Sequence, residues 1–122
     1  MRVLCLQIIN PITGVNESTS PWLDLDDEYE VLEVYAYPGG RIDLRLAAKD
    51  AGTPALFDST MFMTIDDTIP PTWTVRLEDG GALRLAPREW MRPGFWDAFF
   101  DGDPDAVSDY RRGRGPIRDV DS

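Results

Sequence analysis

Hydrophobic and polar residues alternate in short runs along most of the chain, a pattern typical of β-strands. The run 2–9 places Leu4, Leu6 and Ile8 on one face of a first strand. The run 29–37 is dense in Val, Tyr and Leu on both of its faces. A strand with two apolar faces is buried on both sides, so we expect this strand to be central or sharply bent.

Further strands are predicted downstream. The run 41–46 directs Ile42, Leu44 and Leu46 inward and Arg41, Asp43 and Arg45 outward, which predicts a half-solvated antiparallel strand. The run 55–65 is predicted to be one strand, and the runs 73–77 and 82–85 are predicted to form a hairpin.

Tight turns separate these runs. Pro38-Gly39-Gly40 and Asp79-Gly80-Gly81 contain the glycines that hairpin turns need, and residues 49–54 form another polar turn. Pro70 and Pro71 lack the N–H group that a strand requires. Five or six short strands joined in this way predict a mainly β domain, either a small antiparallel barrel or a sandwich.

The pattern changes to helical spacing after Leu85. Residues 87–90 predict one helical turn, and Phe95 and Phe99 lie four apart, as do Trp96 and Phe100, as on a short helix. Asp103-Pro104-Asp105 is a typical start for a second helix, predicted to reach about Tyr110. We therefore expect a single domain at residues 1–110 with a C-terminal helical cap, followed by a loose tail at 111–122.

The length of 122 residues, with 43% apolar content and four tryptophans, suits one domain with its own core. We expect Trp22, Trp73 and Trp96 to be largely buried. No apolar run approaches the roughly 20 residues of a membrane span. Cys5 is the only cysteine, which excludes an internal disulfide, and a cytoplasmic location is expected.

The net charge of −10 narrows the classes of partner. It argues against nucleic acid and anionic membranes, because both are bound through clusters of Lys and Arg. It favours either solubility alone or rapid encounter with a basic protein.

Candidate catalytic and metal-binding groups are few. The absence of histidine excludes Ser-His-Asp and Cys-His nucleophile pairs and His-ligated metals, and Cys5 is expected to be structural. Residues 101–105 contain three of the aspartates of a calcium loop, but Ala106 and Arg112 occupy its required glycine and glutamate positions. We expect no metal, no cofactor and no catalytic site.

The most pronounced local feature is acidic. Residues 17–33 contain seven carboxylates and no Lys or Arg. Such a stretch either docks a basic protein or is a solvated turn. The predicted partner-binding residues are Asp24, Asp26, Asp27, Glu28, Glu30 and Glu33. A second acidic set comprises Asp97, Asp101, Asp103, Asp105 and Asp109, for which ordinary helix capping is the alternative.

An aromatic group also has two interpretations. Its members are Trp90, Phe95, Trp96, Phe99 and Phe100. They form either an interface anchor or, as we expect, a plug at the open end of a barrel.

Several segments are similar to known proteins. Residues 22–25 and 29–34 (WLDL and YEVLEV) resemble the opening of small bacterial SH3-like barrels. Residues 52–58 (GTPALFD), 69–73 (IPPTW) and 93–104 (PGFWDAFFDGDP) resemble immunity proteins encoded beside bacterial polymorphic toxins. One departure is Asp26-Asp27, which replaces an expected glycine-containing turn.

The resemblance implies an SH3-like barrel that binds and blocks a cognate toxin, for example a nuclease with a basic cleft. A non-catalytic regulatory or scaffold module with the same kind of fold is the alternative. A small hydrolase that uses only carboxylates is a third class, to be distinguished by its activity.

Overall fold

The computed structural model describes residues 1–47, 49 and 53–114. The strands in this part of the chain are β1 Arg2–Cys5, β2 Ile8–Ile9, β3 Asn16–Glu17, β4 Glu28–Ala36, β5 Ile42–Ala47, β6 Pro54–Asp58, β7 Phe62–Asp66, β8 Trp73–Leu77 and β9 Leu83–Pro87. The α-helices are α1 Phe95–Phe100 and α2 Pro104–Arg114. Single 3₁₀ turns at Ser59–Met61 and Arg88–Trp90 connect neighbouring elements.

The main sheet has seven strands, and each of its strand pairs is antiparallel. The order is β6-β5-β4-β1-β7, with a second branch in which β9 pairs with β4 and β8 pairs with β9. The first half of β4 pairs with β1 and its second half with β9. The predictions of a mainly β antiparallel domain, of the 73–85 hairpin and of short C-terminal helices are confirmed.

The described residues form nine strands and not the predicted five or six, because two predicted strands divide and the short strand β3 forms in a segment predicted to be a loop. The run 55–65 breaks at the Ser59–Met61 turn, where the Asp58 carboxylate accepts the Thr60 N–H at 2.9 Å. The run 2–9 divides into β1 and β2, and β2 pairs with β3 in a separate hairpin.

Helix α2 continues to Arg114, past its predicted end near Tyr110. The rest of the predicted tail, and half of the 49–54 turn, lie outside the described residues.

A register shift between Val31 and Glu33 bends β4 and gives it two apolar faces. Val31 and Val34 join a first core with Val3, Cys5 and Leu46. Leu32 faces a second core, built mainly from residues after Leu85. Because β4 pairs with β5, β1 and β9, the prediction of a central strand is confirmed.

The second core overturns one prediction. The outward face of β5 is not half-solvated, because Asp43 and Arg45 are only 4% and 6% exposed. The Arg45 guanidinium lies 3.9 Å from the centre of the Trp96 ring, and Asp43 pairs with Arg41 at 3.0 Å.

Four members of the aromatic group predicted to plug the fold belong to the second core: Trp90, Phe95, Trp96 and Phe99. Trp90 and Phe95 are fully buried, whereas Phe100 is half-exposed. Helix α2 approaches Trp90 so closely that a Cβ added at Gly113 would lie 2.4 Å from its Nε1 atom, so glycine is required there. Of the three tryptophans predicted to be buried, Trp73 and Trp96 are partly buried, and Trp22 is 51% exposed, contrary to the prediction.

Candidate partner-binding surface

The acidic stretch contains a turn, residues 24–28, whose backbone is held by hydrogen bonds. The Asp26 N–H donates to the Cys5 carbonyl at 2.8 Å, and the Cys5 N–H donates to the Asp27 carbonyl at 2.9 Å. The Asp24 N–H donates to the Tyr29 hydroxyl at 2.7 Å. Leu23 and Tyr29 flank the turn and are buried. This acidic turn is therefore fixed to the body of the domain.

Asp26 has a φ of 65°, the only positive φ of a non-glycine residue in the described part of the chain. This left-handed conformation is usual for glycine and is tolerated by Asp and Asn. The position is the one at which the resemblance leads us to expect a glycine-containing turn. The chain thus has a carboxylate at a position where glycine would adopt the positive φ at a lower steric cost.

The side chains of the acidic turn point into solvent. Asp24, Asp26, Asp27 and Glu28 are all exposed. Asp24 pairs with Lys49 at 2.9 Å, and Glu28 approaches Arg2 at 3.4 Å. These four predicted residues share one accessible surface.

The other two predicted binding residues lie elsewhere. Glu30 is partly exposed and pairs with Arg114 at 3.2 Å. Glu33 is 0% exposed, which contradicts its predicted role in partner binding. The bulge in β4 turns its carboxylate toward Arg45 Nε at 2.9 Å and Arg84 Nη2 at 2.6 Å. Glu33 is therefore a core residue.

The second acidic set does not form one site. The Asp109 carboxylate pairs with Arg92 and Arg112, and the Asp103 carboxylate caps α2 by accepting the Ala106 N–H at 3.1 Å. Asp97, Asp101 and Asp105 are exposed. Within residues 1–47, 49 and 53–114, no group of three or more potential metal ligands is placed to hold a metal ion.

Cys5 lies at the end of β1 and is fully buried. Burial raises the pKa of its thiol, a backbone hydrogen bond with Gln7 lowers it in part, and nearby Asp26 adds to the rise. The thiol therefore stays protonated near neutral pH, which makes it a poor nucleophile.

A cavity of about 410 Å³ lies between β8 and the start of α1. Three arginines line it, but each already has acceptors. Arg76 donates to the Met91 carbonyl at 2.6 Å, Arg84 binds Glu33, and Arg92 binds Asp109. The cavity therefore offers little free positive charge to an anion.

A larger feature, which the sequence did not reveal, is an apolar groove of about 720 Å³. It runs between the segment 8–23 and strand β6. Its base includes buried Ile8, Leu23 and Met61, and the exposed side chains of Trp22 and Leu56 line it. Leu23 of the groove lining directly precedes Asp24 of the acidic turn in sequence, but no residue of the turn lines the groove.

Comparison with known proteins adds no relative. A scan against protein-family models found no match, and searches of the curated proteins and of the solved structures found none. In the described part of the chain, no helix has the length and apolar character that a membrane crossing requires.

Proposed function

We propose that this protein binds a basic protein partner through the acidic turn and blocks it, acting by binding rather than by catalysis. The observation that carries the proposal is the fixed backbone of the turn, which presents Asp24, Asp26, Asp27 and Glu28 together. A surface that is already ordered loses little conformational entropy when a partner docks. The resemblance to immunity proteins suggests that the partner is a bacterial toxin, neutralised in the cytoplasm.

The charge of the domain supports this mode of action. A net charge of −10 attracts a basic partner over several ångströms and raises the rate of encounter. If the partner is a nuclease, an acidic surface seated in its basic cleft would exclude the substrate phosphates. The alternative is a regulatory or scaffold module that uses the same surface without inhibiting its partner.

Growth of cells that co-express the protein with the product of the adjacent gene tests the proposal. Wild-type protein should restore growth, whereas a variant with Asp24, Asp26 and Asp27 changed to Asn and Glu28 to Gln should protect less. The matched control changes Asp67, Asp97, Asp101 and Asp105 to Asn, four exposed carboxylates outside the acidic turn. Equal protection by both variants would contradict the proposal, and binding without protection would favour the scaffold alternative.

Substitutions of Asp26 separate its charge from its backbone conformation. Asp26→Gly removes both the carboxylate and the steric cost of a positive φ, so stability should stay level or rise by up to about 1 kcal/mol. Asp26→Asn removes only the charge. Both variants should bind the partner less well. Thermal melting measures their stability, and a binding assay on the same samples measures their affinity for the partner. Unchanged binding in both would show that the Asp26 carboxylate has no role in docking.

A further inference from the structure

The apolar groove borders an edge of the main sheet. Strand β6 is the last strand on its side of the sheet and pairs with β5 alone among the described strands. Ala55, Leu56, Phe57 and Asp58 of this strand all line the groove. An edge strand beside a groove can accept an extended peptide as an additional strand, with backbone hydrogen bonds giving affinity and side-chain pockets giving specificity.

The charges around the groove indicate what kind of segment would fit. Glu17 and Asp58 are the carboxylates that line it. Hydrogen bonds from the Thr60 backbone and side chain lower the pKa of Asp58, so its carboxylate is ionised. Among the described residues, Arg41 is the one cation in the lining, and it is paired with Asp43 at 3.0 Å. The rim is therefore complementary to a basic ligand.

We infer that the groove binds an extended segment of the partner protein in which apolar and basic side chains alternate. Alternate side chains of a strand point to opposite faces, so apolar ones would enter the groove while basic ones meet the carboxylates. The inference rests on the proposed protein-binding function, but it uses a surface separate from the acidic turn. The groove would thus retain a partner that the acidic turn attracts.

Selection from a random twelve-residue peptide library displayed on phage, against the full chain, tests this inference without the toxin. We expect enrichment of peptides with basic and apolar residues at a spacing of two. Leu56→Lys should weaken the binding of a selected synthetic peptide by at least about tenfold, because the substitution places a charge in an apolar site. The matched control is Ile65→Lys, since Ile65 is 43% exposed on β7 and Leu56 is 38% exposed. This control should bind as the wild type does.

N-methylation of the selected peptide distinguishes strand addition from other modes of binding. Methyl groups on the alternate amides that face β6 should abolish binding, and those on the other amides should spare it. Trp22→Ser provides a second groove variant if Leu56→Lys alters the fold. Failure to enrich peptides, an acidic or helically spaced consensus, or full binding by both groove variants would overturn the inference. The acidic-turn substitutions lie outside the groove lining. Such a failure would therefore not contradict the proposed function, which the growth experiment tests separately.

Discussion

Replacing Glu33 with Ala should destabilise the protein by about 3–5 kcal/mol, because it leaves two buried guanidinium groups without their carboxylate. Arg45 and Arg84 are each only 6% exposed, and both donate to Glu33. Thermal melting should show a midpoint lower by roughly 10 °C or more. The control is Glu28→Ala, whose exposed pair with Arg2 should contribute less than about 1 kcal/mol.

A second variant tests whether uncompensated charge causes this loss. Changing Glu33, Arg45 and Arg84 together to Met removes all three charges and retains apolar volume, so it should recover part of the stability. A melting midpoint of Glu33→Ala within about 2 °C of the wild-type value would mean that the Glu33, Arg45 and Arg84 side chains are open to water.

Replacing Trp90 with Ala should also cost about 3–5 kcal/mol, the range for removing a large aromatic residue from a core. The Trp90 ring is 1% exposed and stacks on Tyr110 at 5.3 Å between ring centres. Its Nε1 atom donates to the Asp109 carbonyl at 3.2 Å. The substitution therefore removes packing between the 3₁₀ turn and α2. Urea denaturation measures the loss.

Phe100→Ala is the control for Trp90→Ala, because Phe100 is half-exposed and belongs to the same aromatic group. Its smaller burial predicts a clearly smaller loss of stability. Equal losses in the two variants would contradict the assignment of Trp90 to the core and Phe100 to the surface.

Local pattern predicted most of the strands and both α-helices. The β8–β9 hairpin follows from alternating residues around Asp79-Gly80-Gly81, and helix α1 follows from the spacing of Phe95 and Phe99. These features depend on neighbours within a few residues, which is the range over which a sequence pattern carries information.

The errors arose where distant segments meet. Glu33 lies in an acidic stretch, but its partner Arg84 is 51 residues away in sequence. Alternation in β5 predicted a solvated face, and only the fold brings Trp96 over Arg45. The groove likewise joins segment 8–23 to β6. No local pattern in either segment indicates this groove, because its lining comes from parts of the chain that lie more than 30 residues apart.

The rate of association with the partner, measured at two salt concentrations, tests the central claim most directly. Salt shortens the Debye length to a few ångströms, so raising it from about 50 to about 500 mM should slow the wild type by tenfold or more. The variant with Asp24, Asp26, Asp27 and Glu28 neutralised should associate slowly at both concentrations, with its melting midpoint near that of wild type. Equal association rates for the two proteins, unaffected by salt, would contradict docking through the acidic turn.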